Sequence, residues 1–268
     1  MSTENASASG ELTGNVLFYS KPEPLSIEQH RNYGVKRTDK PFSFAATANI
    51  VPLTVAEFAV AGASYPIIFV GEDRQPAALM GLREGENLYI DENGDFDQEN
   101  YIPAFIRRVP FVFANDAGTD RMILCIDAGS PIVDPNGGDV PLFEGDKLSP
   151  YTEGVMNFCK EFEGERLRTV EFVKLLTELD LFETKTATYQ APAGPDGVLP
   201  PVQTIGEYLG VSEEKVGQLP DAKLAELVRN GALPQIYIHL HSLVNWDRLI
   251  GRTLRRQNAP ANDVAGNA

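Results

Sequence analysis

Short runs of apolar residues alternate with polar turns through the first half of the chain. The segments YPIIFV (65–70), AALMGL (77–82) and NLYID (87–91) are separated by the turn sequences GEDRQP and REGE. Apolar runs of this length between such turns predict consecutive antiparallel strands. VPFVF (109–113) and RMILCID (121–127) lie on either side of NDAGTD and predict a further hairpin.

Helical patterns accompany these strands. Ser26 is expected to cap a short helix, and Thr54 and Glu57 have capping-box spacing at the start of a helix predicted from Thr54 to Ala63. The segment QENYIPAFIRR (98–108) predicts a helical turn or short helix between the two sets of strands. The adjacent Arg107 and Arg108 would then stand at the entry to a strand, where neighbouring side chains point to opposite faces.

The second half of the chain has a different pattern. Residues 130–150 are rich in Gly, Pro and Asp and predict a long loop, whereas residues 151–183 carry apolar positions at helical spacing and predict one or two helices. Residues 186–203 are expected to be extended or hairpin-like. Asp221 is expected to begin a helix that Gly231 ends, and Pro234 to open a longer helix over residues 234–256.

These elements predict an α+β fold in which an antiparallel sheet from the N-terminal half packs against a mainly helical C-terminal half. We expect residues 1–15 to form a flexible leader and residues 257–268 a flexible tail. Between them, residues 16–256 are expected to fold as one domain, β-rich over 16–150 and helix-rich over 151–256, because no linker of disordered composition divides them.

Composition and charge narrow the function classes. With 43% hydrophobic residues and a net charge of −15, the chain is globular, and its acidity disfavours nucleic acid and anionic lipid as partners. No apolar run is suited to span a membrane, and the N-terminus lacks the pattern of a signal peptide. Cys125 and Cys159 lie in apolar contexts and are expected to be buried thiols. We therefore expect a soluble, cytoplasmic protein.

Common catalytic and cofactor motifs are absent from the sequence. The loop DENGDFDQENYI (91–102) resembles a calcium loop but has Phe96 where glycine is needed and Ile102 where a bidentate glutamate is needed, so a solvated turn is favoured. Asp134, Asp139 and Asp146 form a second, weaker candidate for cation binding. We expect no metal and no cofactor.

A polar stripe is the best candidate binding surface. On a helix over residues 234–256, His241, Asn245, Arg248 and Arg252 share one face, and His239 lies nearly opposite. Two interpretations remain open. The stripe is either a solvent-facing seam or the wall of a pocket for an anion or carboxylate, for which Arg offers a planar fork.

Three further residues complete the set of candidates. Tyr101 and Arg107 flank the predicted helical turn, and Asp127 ends the strand MILCID as the best candidate carboxylate at a sheet edge. As a general base, Asp127 would need a partner that the sequence does not identify.

Several segments together resemble the SapC family of bacterial proteins. They include SFAATANIVPLTVAEFAVAGASYPIIF, GLREGENLYID, YIPAFIRRVPF, LCID, EEKVGQLPDAKLAELVRNGALPQIYIHLHSL and NWDRLIGR, in the family's order, from about Phe18 to Arg252. The matching motif positions are Pro52, Glu57, Phe58, Tyr65, Pro66, Phe69, Gly81, Asn87, Tyr101, Pro103, Arg107, Arg108, Pro110, Phe111, Asp127, His241 and Arg252. The resemblance implies a link to surface-layer, peptide-transport or nutrient-uptake systems and carries no catalytic residues.

Two function classes follow from this resemblance and from the candidate residues. The first is an accessory or binding protein of such a system, whose partner is a peptide, a protein or a small carboxylate. The alternative is an enzyme acting on a peptide or an amino-acid-derived metabolite beside halogenase-like and cupin-like neighbours, with Asp127, Tyr101, Arg107 and His241 converging on one pocket. The missing catalytic motifs favour the first class.

Overall fold

The computed structural model describes residues 17–115, 122–190, 193 and 198–258 of the chain. The strands in these residues are β1 (Pro22–Pro24), β2 (Gly34–Val35), β3 (Ile50–Pro52), β4 (Ile67–Val70), β5 (Gln75–Leu79), β6 (Phe111–Asn115), β7 (Met122–Asp127), β8 (Val133–Asp134), β9 (Val140–Pro141), β10 (Phe143–Glu144), β11 (Lys147–Leu148), β12 (Phe182–Tyr189) and β13 (Gln203–Val211). The helices are α1 (Ile27–His30), α2 (Phe58–Ala61), α3 (Ala104–Arg107), α4 (Pro150–Glu178), α5 (Glu213–Gly217), α6 (Asp221–Arg229), α7 (Ala232–Ser242) and α8 (Asn245–Asn258). The predicted leader lies outside the described residues, as does the predicted tail beyond Asn258.

The largest sheet has five strands in the order β12-β13-β4-β5-β3, and all its neighbours are antiparallel. The predicted hairpin of β4 and β5 is confirmed. The sheet also includes the β12–β13 hairpin from the second half of the chain, so both halves contribute to one sheet. The fold is α+β, as the pattern of elements predicts.

The third predicted strand, NLYID, is wrong. This segment contributes only an isolated bridge between Ile90 and Phe96. The Asn87 side chain donates to the Ala45 carbonyl and accepts from the Tyr89 amide, and arginines of α8 occupy nearby carbonyl oxygens. Local side-chain hydrogen bonds therefore replace the ladder of a strand.

Three smaller sheets accompany the five-stranded sheet in the described residues. The predicted hairpin of β6 and β7 is confirmed and pairs with β1, while the turn residues 116–121 lie outside the described part. Residues 130–150, predicted as a loop, contain four short strands. Two of them flank β2, and the other two pair with each other. Backbone pairing therefore orders a segment whose composition indicated only turns.

Residues 150–178 form a single helix, α4, of 29 residues. Ser149 caps its N-terminus by accepting a hydrogen bond from the Thr152 amide, and Pro150 occupies the first turn, where its missing N–H is harmless. Phe172 and Leu176 are buried, as their helical spacing predicts. None of the helices in the described residues is long and apolar enough to cross a membrane.

The helix predicted from Thr54 to Ala63 is shorter than expected. A single 3-10 turn at Val55–Glu57 leads into α2, and the predicted capping box is confirmed, since Glu57 accepts hydrogen bonds from the backbone and hydroxyl of Thr54. The predicted ends of α6 are also confirmed. Gly231 follows the helix with φ 76°, a left-handed conformation that suits glycine.

The single helix predicted over residues 234–256 is wrong, because α7 ends at Ser242 and α8 begins at Asn245. The Ser242 hydroxyl donates to the His239 carbonyl and accepts from the Ile67 amide. The Asn245 amide donates to the carbonyls of Ser242 and Gly62. Side chains thus take over the hydrogen bonds that would continue the helix and anchor the break to the sheet.

His239 fastens α7 to the joint between β13 and β4. Its ring is fully buried, with Nδ1 donating to the Ile67 carbonyl at 3.0 Å and Nε2 accepting from the Val211 amide at 3.0 Å. Burial lowers the pKa of His239 from 6.5 to about 4, with an opposing contribution from the bond to Ile67. Protonation at Nε2 would remove its acceptor and leave a buried amide unpaired.

We expect His239 to make the fold sensitive to acid. Its pKa is lower in the folded than in the unfolded state, so its contribution is complete above pH 6.5 and is lost as the pH falls toward 4. The shift corresponds to about 3 kcal/mol across that window. Urea denaturation between pH 7 and pH 4.5 measures how the free energy of unfolding changes with pH. His239→Gln should make this dependence weaker. The exposed His241 provides the control, and an equal weakening in His241→Gln would contradict this assignment.

Candidate functional site

The long helix α4 connects two hydrophobic cores. Phe172, Val173 and Leu176 belong to the main core beneath the five-stranded sheet, whereas Cys159, with Val155 and Met156 packed beside it, belongs to the smaller core near β6 and β7. Phe158 contacts both cores. The boundary between the cores therefore lies in the middle of α4, where α3 packs against it.

Arg108 occupies this boundary and is buried without an ionic partner. It is 8% exposed, and its guanidinium carbon lies 4.0 Å from the ring centroid of Phe105 and 4.8 Å from that of Phe162. Its buried Nε has no hydrogen-bond partner, and it forms no salt bridge within the described residues. Desolvation lowers the pKa of Arg108, and smaller opposing contributions come from Tyr19, whose ring centroid lies 5.6 Å from the guanidinium carbon, and from Glu163. The arginine remains charged inside the protein.

A groove runs along α4 from this arginine, and we call it the α4 groove. Arg108, Phe105 and Phe162 form its head, and α4 provides one wall from Phe162 to Glu178. Residues 52–54 and 72–76 form the other wall, and the volume of the groove is about 750 Å³. At the far end, Arg74 donates to the Thr177 hydroxyl at 3.0 Å, so the β4–β5 turn touches the last turn of α4.

The structure brings Tyr101 and Arg107 together, but outside the α4 groove. Arg107 is exposed and donates to the Tyr101 hydroxyl at 2.8 Å, and this hydroxyl donates to Glu57 at 3.0 Å. Burial, followed by the nearby Glu57 charge, raises the pKa of Tyr101 to about 12. The Glu57 carboxylate also accepts from the Ala104 amide at 2.7 Å. This network braces α3 against the turn at Thr54.

Arg107 is exposed and Arg108 is buried, so the two side chains face apart as predicted. The predicted cause, an entry to a strand, is wrong. Both residues lie at the end of α3, and the strand β6 starts only at Phe111. On a helical turn, Arg108 follows Ala104 and Phe105 by four and three residues and so shares their buried face. The helical turn predicted over residues 98–108 would have singled out Arg108 before Arg107 if its periodicity had been carried through to the two arginines.

The three residues of the polar stripe that lie on α8 bind neighbouring loops. Asn245 is buried against the carbonyls of Gly62 and Tyr65, and Arg248 donates to the carbonyl of Ala63 at 3.2 Å. Arg252 binds Asp97 at 2.6 Å, and its guanidinium carbon lies 4.2 Å from the ring centroid of Tyr89.

Asp97 is a partner that the sequence interpretation missed. Burial opposes its ionisation, but the hydrogen bond from Arg252 prevails and lowers the pKa of Asp97. The two residues are 155 positions apart, and no local pattern connects them. The guanidinium of Arg252 is therefore committed to a contact within the chain.

His241 and Asp127 are on different elements and have different environments. His241 is exposed on α7, whereas Asp127 is 1% exposed at the end of β7. The Asp127 carboxylate accepts hydrogen bonds from the amides of Ser20, Lys21 and Gly129 and from the Ser20 hydroxyl. Its acceptor capacity is used to hold the chain at β1, so its local contacts favour a structural role over that of a general base.

The acidic loops are occupied by contacts within the chain. Asp91 accepts from the amides of Asn93 and Asp95, Asp139 accepts from the Arg37 amide, and Asp146 pairs with Arg31. Within residues 17–115, 122–190, 193 and 198–258, no three His, Cys, Asp or Glu side chains are grouped as metal ligands. Cys125 and Cys159 are free, buried thiols, and burial raises the pKa of each to about 11.

We expect Arg252→Met to lower the free energy of unfolding by about 2 kcal/mol, because the variant loses an ion pair, a carbonyl contact and a cation–π contact in a half-buried setting. Arg255→Met is the matched control on the exposed side of the same helix and should change stability by less than about 0.5 kcal/mol. Urea denaturation measures both. An equal fall in the free energy of unfolding of both variants would show that the contacts of Arg252 do not stabilise the fold.

Comparison with curated proteins and with solved structures finds no match. The family model SapC matches residues 25–249, which is most of the chain and includes β3, α3, α4 and the α4 groove. The chain belongs to the SapC family.

Proposed function

We propose that this SapC-family protein is a binding protein whose ligand carries a carboxylate, and that Arg108 anchors this carboxylate at the head of the α4 groove. The observation that carries the proposal is the burial of Arg108 without an ionic partner. A desolvated, unpaired charge destabilises a folded protein by several kcal/mol unless an opposite charge joins it. A ligand carboxylate provides that charge, and a guanidinium offers it a planar, two-pronged donor.

The surroundings of Arg108 support an external anion. The charge of Glu163 acts on Arg108 from a distance, but the salt bridge of this carboxylate is with Arg166. The aromatic rings of Phe105 and Phe162 shield the guanidinium from water, which strengthens its attraction for an anion. Leu53, Pro76 and Val173 line the groove beyond and suit the apolar body of such a ligand.

The biological setting belongs to the same proposal. The SapC resemblance implies an accessory role in a surface-layer, peptide or nutrient-uptake system, and we place the protein in the cytoplasm. A binding role accommodates the absence of a recognised catalytic motif in the sequence. A binding role is also consistent with the contacts of Asp127 and Tyr101, whose polar groups bind other parts of the chain. An enzyme that used both residues in one pocket would need these groups free.

We expect the full chain purified from its own host to carry a carboxylate ligand that native mass spectrometry detects as an added mass. Arg108→Met should lose this mass. Arg168→Met, an exposed arginine of α4 that pairs with Glu165, should retain it. An unliganded mass in the unchanged protein, or an added mass that Arg108→Met keeps, would count against the proposal.

A second expectation separates a binding role from a structural role of Arg108. In the ligand-free protein, Arg108→Met removes an unpaired buried charge while keeping contacts with the aromatic rings, so the free energy of unfolding should rise by about 1 kcal/mol. Urea denaturation of refolded, ligand-free protein measures this change. A fall of more than about 1 kcal/mol would mean that the arginine holds the fold together and needs no ligand.

A further inference from the structure

We infer that the ligand of the α4 groove is an extended peptide of roughly seven residues, bound with its C-terminal carboxylate at Arg108 and its N-terminal ammonium at the opposite, acidic end. This inference rests on the proposed function, because it takes Arg108 as the carboxylate anchor. It adds the length, the direction and the second recognised group of the ligand.

The length follows from the helix that forms the wall. Phe162 at the head and Glu178 at the far end are both on α4 and both line the groove. They are sixteen positions apart, which at a rise of 1.5 Å per residue gives a groove roughly 24 Å long. An extended chain advances about 3.4 Å per residue, so roughly seven residues span this distance. A single amino acid or a dipeptide reaches only one end.

The direction follows from the charges at the two ends. The head holds the buried cation of Arg108. At the far end, the three acids Glu72, Asp73 and Glu178 outnumber the cations of Arg74 and Lys174, and none of these acids forms a salt bridge in the described residues. The contact between Arg74 and Thr177 places the β4–β5 turn, which carries Glu72 and Asp73, beside the end of α4. A peptide with free termini has the complementary pair of charges, one at each end.

The middle of the groove suits a peptide with apolar side chains at alternate positions. Leu53, Pro76 and Val173 line this stretch, and Val170 is 49% exposed on α4. Side chains of an extended peptide alternate between two faces, so every second residue faces these apolar groups while the others face water.

The probe for the test is the heptapeptide Leu-Ser-Leu-Ser-Leu-Ser-Leu, compared with its C-terminal amide, its N-acetyl form and the tetrapeptide Leu-Ser-Leu-Leu, by titration calorimetry on the full chain. The amide should bind at least about thirtyfold more weakly than the free acid, since it leaves Arg108 unpaired. Acetylation should weaken the heptapeptide about fivefold, as expected for an exposed ion pair. It should leave the tetrapeptide unchanged, because the shorter chain does not reach the acidic end.

Variants at the acidic end complete the design. The triple variant Glu72→Gln, Asp73→Asn, Glu178→Gln should bind free and acetylated heptapeptides equally. Glu171→Gln, an exposed acid of α4 outside the groove, should keep the fivefold difference. Equal binding of free and acetylated peptides to the unchanged protein, with the amide still weak, would overturn this inference and leave the proposed function standing. Equal binding of acid and amide would overturn both. No binding of any peptide would overturn the peptide inference, while the native mass spectrum would still decide the proposed function.

Discussion

The packing of α4 across two hydrophobic cores determines where the other features of the molecule lie. A helix of 29 residues is about 44 Å long, which is more than either core covers alone. Its first half completes the small core near β6 and β7, and its second half covers the main core. The α4 groove begins where the cores meet, because α3 fills that junction with Phe105 and Arg108 rather than with a continuous apolar layer.

Much of the local structure follows from the sequence pattern, because its causes are local. The β4–β5 hairpin, the capping box of Thr54 and Glu57 and the helical state of residues 150–178 arise from contacts between residues close in the chain. The pattern left open whether one or two helices would form there. The predictions are wrong where the local structure depends on a residue that is distant in the chain. NLYID has the composition of a strand, but arginines from α8 bind its carbonyls, and the break after Ser242 depends on the Ile67 amide of β4.

In the candidate site too, contacts between residues close in the chain can be predicted from the sequence, and contacts between distant residues cannot. Tyr101 and Arg107 are close in sequence, and their contact was within reach of a local argument, whereas the pairing of Arg252 with Asp97 was not. Arg108 differs from Arg107 only by its phase on a short helix. An assumed strand gives alternating faces and cannot say which arginine is buried, whereas the helical turn places Arg108 with Ala104 and Phe105. The α4 groove itself needs α4, α3 and the β4–β5 turn in place together.

Three arginines of α8 bind backbone carbonyls, and one of them, Arg252, also pairs with the side chain of Asp97. Arg248 donates to the carbonyl of Ala63, Arg252 to that of Leu88, and Arg256 to those of Asn87 and Ile90. Every amino acid has a carbonyl, so these contacts place no demand on the side chains of the loops they hold. They do require that each loop keep its number of residues and its path. Apart from the contact of Arg252 with the Tyr89 ring, these carbonyl contacts therefore tolerate amino-acid replacements in residues 87–90 better than an insertion or deletion there.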